Sequence, residues 1–371
     1  MKVSIVCSAL PGMGPRGVLE RSVSGWLSAR GHDDVVGIAT SEGDPIAHVG
    51  TGLDDVVHLR YPEAQASSPD DDAPRRIHWM WDGGALIDLA DAMEWTGDSD
   101  PIGSTDFLAR DLMELQGRGA RSVHLNLPRL MTRSDLGLGL LGALAGTDIN
   151  VRDEPRDLGT ELAKAQRALS GTNVVATYSA DLPLLGVDGM ARMWDRAGMD
   201  GQVAQDFERH IGGWVHELDR AAASSIRRSL LGGANVDPRA GASGPGGGLG
   251  MMMGLLGGNQ QLIGDYLVGS ALPVEADLIV YVCAAIGIDL PSGLHAATRH
   301  AEERGVPVVL LTDSAGLRKG ELPRLGLHGS YELRPERAFG EEREDIDGIS
   351  TIPVRLDEAI TRIATTWGWD F

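Results

Sequence analysis

The chain has 371 residues, a hydrophobic fraction of 42% and a formal net charge of −20. A chain of this length and hydrophobicity can bury more than one core, so two domains are expected. The acidic balance excludes the basic surface that non-specific nucleic-acid binding requires and disfavours docking on an anionic membrane, so neither is expected as a partner.

Strands and helices are predicted to alternate along the chain. A short apolar strand at residues 3–9 is followed by a Gly/Pro turn and an amphipathic helix at residues 18–29, which is typical of the start of an open parallel α/β sheet. The further predicted strands are residues 35–39, 85–90, 123–127, 173–177, 278–283 and 306–312. The further predicted helices are residues 105–116, 136–146, 161–169, 202–230, 294–304 and 356–366. Apolar strands near both chain ends favour one parallel sheet that contains the first strand and the last two.

Two segments are predicted to be irregular or glycine-rich. Residues 61–76 are polar and contain prolines, which predicts a loop. In the glycine-rich run, residues 241–258, backbone N–H groups can approach a phosphate or carboxylate closely, because glycine has no Cβ. No Gly-Lys-Ser/Thr follows this run, so it is not a P-loop. A flexible linker is the alternative interpretation, and a helix is predicted to follow the run to about residue 269.

The two cysteines, Cys7 and Cys283, lie in apolar strand-like runs, a pattern typical of small core residues in a reducing compartment. No Cys/His spacing indicates a metal site. The first ten residues are too short for a secretory leader, and no apolar stretch is long enough for a membrane span. We therefore expect a cytoplasmic protein without a disulfide or a resident metal.

Five segments, in the right order, resemble the two-domain bacterial glycerate kinase family, which phosphorylates glycerate with ATP and Mg²⁺. They are residues 85–93, 119–121, 182–186, 247–250 and 276–280. The resemblance implies an α/β fold with a Rossmann/flavodoxin-like parallel-sheet domain and a second α/β domain inserted into it. The first domain would comprise residues 1–40 and 270–371, and the inserted domain residues 41–269, including the glycine-rich run.

This sequence departs from the family pattern at positions where the family has charged side chains. Where the family has charged side chains, this chain has uncharged residues: Ser8, Pro11, Ser179, Gly198 and Cys283. Phosphoryl transfer depends on cations and metal ions that neutralise the transferring group. We therefore expect ATP-dependent glycerate phosphorylation to be absent or lower by several orders of magnitude, with ATP and Mg²⁺ as cofactors only if the activity is retained.

Three acidic residues remain at family-like positions: Asp135, Asp181 and Asp289. The resemblance makes them candidate catalytic residues, because carboxylates at such positions can hold Mg²⁺ or accept a hydroxyl proton. The alternative is structural, since an Asp that follows a strand is often a turn former or a helix cap. Asp88, on its predicted strand, is better explained by the fold than by chemistry.

An anion-binding site is predicted from two loops. Arg129 and Arg133 lie in the loop after the predicted strand at residues 123–127, where the family has small residues that face the ligand, and Thr132 between them is retained. Guanidinium groups bind carboxylates and phosphates in a bidentate manner. The candidate anion-binding residues are these three together with Gly247, Gly248 and Gly250. A solvated surface pair balanced by Asp135 is the alternative for the arginines.

The sequence thus predicts a glycerate kinase-like protein with a degenerate active site that binds a small anionic ligand or a protein partner. A working, divergent sugar-acid kinase is the alternative, and a different small-molecule enzyme on the same scaffold also stays open. The sequence does not determine whether the protein is an enzyme, which ligand it binds or whether it forms a homodimer.

Overall fold

The computed structural model of the chain describes residues 1–41, 52–89, 100–131, 133–224, 237–286, 290–317, 320–334 and 346–369. The strands are β1 (Lys2–Cys7), β2 (Asp34–Ala39), β3 (Gln65–Ser67), β4 (Ile77–Trp81), β5 (Gly84–Asp88), β6 (Ser122–Leu127), β7 (Asn173–Tyr178), β8 (Asn259–Leu262), β9 (Leu278–Ile286), β10 (Val308–Ala315) and β11 (Gly329–Glu332). The α-helices are α1 (Pro15–Ala29), α2 (Leu53–Arg60), α3 (Asp106–Gly117), α4 (Leu138–Ala145), α5 (Gly159–Ala168), α6 (Met190–Arg196), α7 (Gly201–Ser224), α8 (Leu249–Leu255), α9 (Ser292–Glu302) and α10 (Ile346–Trp367). A π-helical turn spans Asp265–Gly269 and a 3₁₀ turn spans Leu322–Leu325.

The chain divides into two compact units, each with its own sheet. The first unit contains β1, α1, β2 and α2 together with the chain from Ile263 onward, and the second contains Glu63–Leu262. The predicted domain boundaries lie at residues 40 and 269. Compared with that prediction, α2 and the π-helical turn lie in the first unit.

Five parallel strands form the sheet of the first unit, in the order β11-β10-β9-β1-β2. This order confirms the prediction that the first strand shares one parallel sheet with two strands of the C-terminal third. The side chains of β9 alternate between two hydrophobic clusters: Val280 and Val282 pack with α1 and α10, whereas Ile279 and Tyr281 pack with α9. A parallel strand buried on both faces requires such a continuous apolar run.

The second unit has a mixed sheet in the order β3-β4-β5-β6-β7-β8. The pairs β3/β4 and β4/β5 are antiparallel, and β5 to β8 are parallel. Its main hydrophobic cluster takes alternate residues of β6, Val123, Leu125 and Leu127, and packs them with side chains of α3 to α8. The predicted fold class is confirmed: two α/β domains, with the strands of the second sheet falling in the chain between β2 and β9 of the first.

Two local predictions were wrong. The sequence predicts a loop over residues 61–76, but β3 lies within it and pairs with β4. The sequence also predicts one helix from the glycine-rich run to about residue 269, but α8 ends at Leu255 and β8 then joins the sheet beside β7. Both missed strands are short, polar edge strands, whose pairing is decided by neighbouring strands more than by local propensity.

Candidate functional site

Three loops of the second unit meet at the carboxyl ends of β6 and β7. They are the loop after β6, the loop after β7 and the glycine-rich run. The Gly246 N–H donates to the Pro128 carbonyl at 2.8 Å, and the Gly244 N–H donates to the Leu182 carbonyl at 2.8 Å. Ligands of open parallel sheets bind outside the carboxyl ends of the strands, so this junction of loops is the candidate site.

The backbone amides of the glycine-rich run are largely engaged within the run itself. The Gly248 N–H donates to the Gly244 carbonyl at 3.1 Å, and the Gly250 N–H donates to the Pro245 carbonyl at 3.0 Å. The helix that follows, α8, has seven residues. An anion held by the amides of Gly248 and Gly250 would therefore have to replace these internal hydrogen bonds.

Backbone conformation and close packing explain the glycines themselves. Gly247 and Gly248 have φ angles of +65° and +94°, which residues with a Cβ rarely adopt. A Cβ on Gly250 would lie 2.1 Å from the Ala242 carbonyl oxygen. The Gly247 carbonyl accepts a hydrogen bond from the Ser134 hydroxyl, which ties the run to the loop after β6.

The structure brings one of the two predicted arginines into the loop junction. Arg129 is partly buried, and its Nη2 donates to the backbone carbonyl of Asp181 at 3.3 Å. The Arg133 side chain is exposed, while its backbone carbonyl oxygen would lie 3.4 Å from a Cβ placed on Gly247. Arg133 therefore lies at the rim of the junction. Thr132 lies outside the described residues.

Asp181 is an exposed residue beside the glycine-rich run. A Cβ on Gly241 would lie 2.5 Å from its Oδ1, and the N–H of the following residue, Leu182, donates to the Gly241 carbonyl at 2.8 Å. Asp181 is thus exposed to solvent, with its backbone carbonyl bonded to Arg129 and its carboxylate beside Gly241. Asp289, the third candidate acid, lies outside the described residues.

Asp135 is a buried carboxylate that joins the starts of two helices. Its oxygens accept hydrogen bonds from the Thr105 N–H and hydroxyl at 2.8 and 2.9 Å, from the Gly137 N–H at 2.9 Å and from the Gly139 N–H at 3.0 Å. Burial raises the pKa of Asp135, although these hydrogen bonds act in the opposite direction. With both oxygens engaged, this arrangement matches the structural interpretation of Asp135, a turn former and helix cap.

Ser179, at the carboxyl end of β7, adds a second polar group to the junction. Its Oγ is buried and has no hydrogen-bond partner in the structure. Leaving a buried hydroxyl unsatisfied costs about 1–3 kcal/mol, so a hydrogen-bonding group brought by a ligand would be favoured here. The sequence pattern predicts for Ser179 only the loss of a charged side chain of the family. We call Arg129, Ser179 and Asp181, with the loops that carry them, the carboxyl-edge site.

A row of buried polar side chains on the strands of the same sheet is not predicted from the sequence. The Asn126 Nδ2 donates to Asp88 Oδ1 at 2.9 Å, and the Thr177 hydroxyl donates to Asn126 Oδ1 at 3.2 Å. His124 Nε2 lies 2.5 Å from the Thr177 Oγ1. We call these four residues the polar row. The sequence feature that could have revealed the polar row is the presence of polar residues at alternate positions inside otherwise apolar strands.

In the first unit, the chain leaves the neighbouring strands β1 and β9 in opposite directions across the sheet, which makes a topological switch point. Ser8, at the carboxyl end of β1, is buried, and its hydroxyl donates to the Val282 carbonyl at 3.4 Å. Cys7 and Cys283 are buried, are not disulfide-bonded and belong to different hydrophobic clusters. Burial raises the pKa of Cys7 to about 12.

Asp88, Asp135 and Asp181 do not form the Mg²⁺ site that the glycerate kinase resemblance implies. Magnesium needs oxygen ligands that converge on one point. Asp88 and Asp135 accept hydrogen bonds from protein groups, and Asp181 lies exposed on a different loop. Within the described ranges, no three His, Cys, Asp or Glu side chains lie close enough together to hold a metal ion. None of the described helices is both long and apolar enough to cross a bilayer.

Sequence comparison finds two relatives. No protein-family model matches the chain. Two uncharacterized proteins, from Mycobacterium bovis and Mycobacterium tuberculosis, are each 27% identical to it over 210 residues, which is 54% of this chain and 48% of each relative. The matched region therefore spans about half the length of these curated relatives.

Structural comparison finds a match over nearly the whole chain. The crystal structure described as "putative glycerate kinase 2 from Salmonella typhimurium LT2" superimposes with a TM-score of 0.69. The match covers 99% of this chain and 98% of that one at 14% sequence identity. At this identity the match shows a shared fold, which confirms the fold that the sequence resemblance implies.

Proposed function

We propose that the protein is a glycerate kinase-like protein with a degenerate active site. It binds a small anionic ligand at the carboxyl-edge site and has little or no ATP-dependent glycerate phosphorylation. The shared fold with the Salmonella protein supports the relationship to glycerate kinases. The uncharged residues at the five motif positions support the loss of phosphoryl transfer.

The observations that carry the anion-binding proposal are a partly buried arginine and a buried, unsatisfied hydroxyl in the two loops that follow the neighbouring strands β6 and β7. Arg129 is anchored to the loop after β7 through the Asp181 carbonyl, and the Ser179 hydroxyl lies at the start of that loop without a partner. A guanidinium and a hydroxyl are both donors to anionic oxygens. The protein's charge of −20 disfavours anions elsewhere on the surface.

Low turnover follows from the charges that this edge of the sheet lacks. The loops at residues 128–137, 179–189 and 237–248 contain no lysine, and the described acids do not fit a Mg²⁺ site. A lost electrostatic group commonly removes about 2.7–4 kcal/mol of transition-state stabilisation, although such losses are not additive. The single guanidinium of Arg129 does not replace the several cations that neutralise a transferring phosphoryl group.

A working, divergent sugar-acid kinase is the second candidate function, and Asp181 is the observation that favours it. Asp181 is exposed at the edge of the sheet where ligands bind, and its backbone carbonyl accepts a hydrogen bond from Arg129. In that case Arg129 would bind the carboxylate of a hydroxy acid, and Asp181 would accept a proton from its hydroxyl.

Calorimetry with matched arginine variants tests the anion-binding proposal. Wild-type protein is titrated with inorganic phosphate and with D-glycerate, and the titrations are repeated with Arg129→Ala and Arg167→Ala. Arg167 is the control because it is exposed on α5 and its Nε bonds a carbonyl of its own helix, that of Ala163.

We expect Arg129→Ala to weaken binding by about 2 kcal/mol or more, because a partly desolvated charge is removed. Arg167→Ala should leave the affinity unchanged, since exposed charges contribute little. Equal affinities for wild type and Arg129→Ala would contradict the assignment of Arg129. Absence of binding by either anion to wild-type protein would contradict the anion-binding proposal itself.

A further inference from the structure

β2 differs from the other strands that end the two described sheets. Those strands are β11 in the first unit and β3 and β8 in the second. Each has three or four residues, most of them polar. β2 has six residues, and all that follow Asp34 are apolar or glycine. Natural proteins usually keep their edge strands short or charged, because a long apolar edge readily pairs with another chain.

The open edge of β2 carries a row of unused backbone groups. The N–H groups of Asp34 and Thr40 donate at 2.9 Å to carbonyls at the two ends of β1. Because successive residues of a strand point their backbone groups to opposite sides, the N–H and C=O groups of Val35, Gly37 and Ala39 point away from β1. Within the described part of the chain, nothing forms a hydrogen bond with these outward groups. They are available to a further strand.

Apolar surface flanks the open edge on both faces of the sheet. On one face, Leu19, Val23 and Leu27 of α1 and Gly37 of β2 line a groove. A Cβ on Gly37 would lie 2.9 Å from Leu19 Cδ1 and 3.3 Å from Val23 Cγ2, so the glycine lets α1 approach the edge closely. Leu27 in the groove and Val36 on the opposite face of the strand are each 38% exposed.

We propose that β2 pairs in antiparallel fashion with β2 of a second copy of this chain, about a two-fold axis at Gly37. Gly37 then lies opposite Gly37 of the second copy, and Val35 lies opposite Ala39. Residues at hydrogen-bonded positions of an antiparallel pair exchange both of their backbone hydrogen bonds, so every outward group of the three residues finds a partner. Asp34 falls opposite Thr40, and the acid therefore does not meet its own copy.

The two-fold axis explains why the occupant is a second copy. Most soluble oligomers are symmetric dimers in which one surface patch pairs with itself, and the outward groups of β2 are placed symmetrically about Gly37. The axis is perpendicular to the sheet, so α1 of both copies lies on the same face and the two grooves meet. Leu27 is then covered, and the two five-stranded sheets become one continuous sheet.

The mass of the full chain in solution is the first test. Sedimentation equilibrium over a range of protein concentrations should show a reversible equilibrium between monomer and dimer. A monomer at every concentration would overturn the proposal. The result does not depend on anion binding, because β2 and α1 belong to the first unit and the carboxyl-edge site to the second.

Leu27→Arg tests whether the groove lies in the dimer interface. The substitution places a charge on an apolar surface that the second copy covers, so the dimer dissociation constant should rise by about tenfold or more. Met113→Arg is the matched control, because Met113 is an apolar residue of α3 in the second unit with an exposure of 46%. It should leave the dissociation constant unchanged. Equal dissociation constants for wild type and Leu27→Arg would overturn the proposal.

Val35→Pro tests the backbone pairing itself. Proline removes an N–H that no hydrogen bond of the described chain uses, and proline is tolerated on an open edge. The variant should therefore keep its circular dichroism spectrum and lose the dimer. A folded Val35→Pro protein that dimerises like wild type would overturn the pairing, and Leu27→Arg decides if this variant does not fold.

Disulfide cross-linking tests the register. In the proposed pair, a cysteine at position 35 of one copy faces position 39 of the other, and the Cα atoms of such pairs are about 5.5 Å apart, which a disulfide can bridge. Mild oxidation of a mixture of Val35→Cys and Ala39→Cys proteins should therefore give a cross-linked dimer, whereas either protein alone should not. The native cysteines, Cys7 and Cys283, are buried. Cross-linking of Val35→Cys alone, or none in the mixture, would overturn the register.

Discussion

At the scale of single residues, two buried carboxylates differ in the groups that donate hydrogen bonds to them. Asp33 in the first unit accepts hydrogen bonds from Arg30 Nε at 2.8 Å and from Trp26 Nε1 at 3.0 Å. Burial acts to raise the pKa of Asp33, but these and neighbouring donors outweigh it and hold the pKa at about 2. Asp135 in the second unit is surrounded by backbone donors without a cation, and its pKa is raised by burial.

The lowered pKa of Asp33 predicts a pH-dependent contribution to stability. The folded value of about 2 lies below the ordinary value of 3.8, so the stabilisation is complete above pH 3.8 and is lost as the pH falls toward 2. The shift corresponds to about 2 kcal/mol. Urea unfolding should show Asp33→Asn to be less stable than wild type by about this amount at pH 7, with a smaller difference at pH 3. Asp34→Asn, at the exposed neighbour, is the control, and equal losses for Asp33→Asn at both pH values would contradict the argument.

The hydrogen bonds around Asp135 predict a structural rather than a catalytic phenotype. Asp135→Ala leaves the amides of Thr105, Gly137 and Gly139 without their acceptor, so the free energy of unfolding should fall by on the order of 3 kcal/mol. Asp148→Ala, at an exposed position after α4, should change it by less than about 0.5 kcal/mol. An Asp135→Ala protein as stable as wild type, but unable to bind phosphate, would instead assign Asp135 to the ligand site.

At the scale of elements, two helical glycines are predicted to respond to alanine with opposite signs. Gly250 in α8 has no room for a Cβ, which would lie 2.1 Å from the Ala242 carbonyl oxygen, whereas a Cβ on Gly212 in α7 meets nothing within 4 Å. Gly250→Ala should therefore destabilise the second unit by about 2 kcal/mol. Gly212→Ala should stabilise it by up to about 1 kcal/mol, because alanine has the higher helix propensity. Urea unfolding measures both, and a stabilising Gly250→Ala would contradict the packing argument.

The elements that could be predicted from the sequence are those whose own residues determine their secondary structure and burial. β9 is a continuous apolar run, and β1 and β10 are mainly apolar, a pattern typical of parallel strands that are covered on both faces. β3 and β8 are polar and three or four residues long, so their pairing depends on the strand beside them. The conformation of the glycine-rich run could not be predicted either, because a flexible linker, an anion-binding loop and a tightly packed turn have the same composition.

The candidate site could be predicted in part. The sequence places Arg129 and Asp181 after two predicted strands, and the structure brings them together through one hydrogen bond. The sequence could not show that Asp135 also accepts hydrogen bonds from the N–H and hydroxyl of Thr105, since that residue lies in another segment of the chain. The polar row could not be predicted for a related reason. Cross-strand partners are set by the register of the strands and not by local sequence spacing.

At the scale of the whole molecule, the fold is shared at low sequence identity. The chain matches a glycerate kinase-like structure over 99% of its length at 14% identity, because a core tolerates substitutions that keep its volume and pattern. Catalysis depends instead on a few charged groups at fixed positions, and the resemblance to glycerate kinases implies that five such positions hold uncharged residues in this sequence. This difference explains how a protein can keep the fold of a kinase while its proposed function is binding.

A coupled assay of ADP release with ATP·Mg²⁺ and D-glycerate tests the central claim most directly. The assay is run beside calorimetry on the same preparation, so that ligand binding establishes that the protein is folded and competent. We predict binding of the anion with ADP release absent or lower by several orders of magnitude than ordinary kinase rates of about 1–100 per second. Glycerate-dependent ADP release at ordinary kinase rates would contradict the account and support the working kinase in its place.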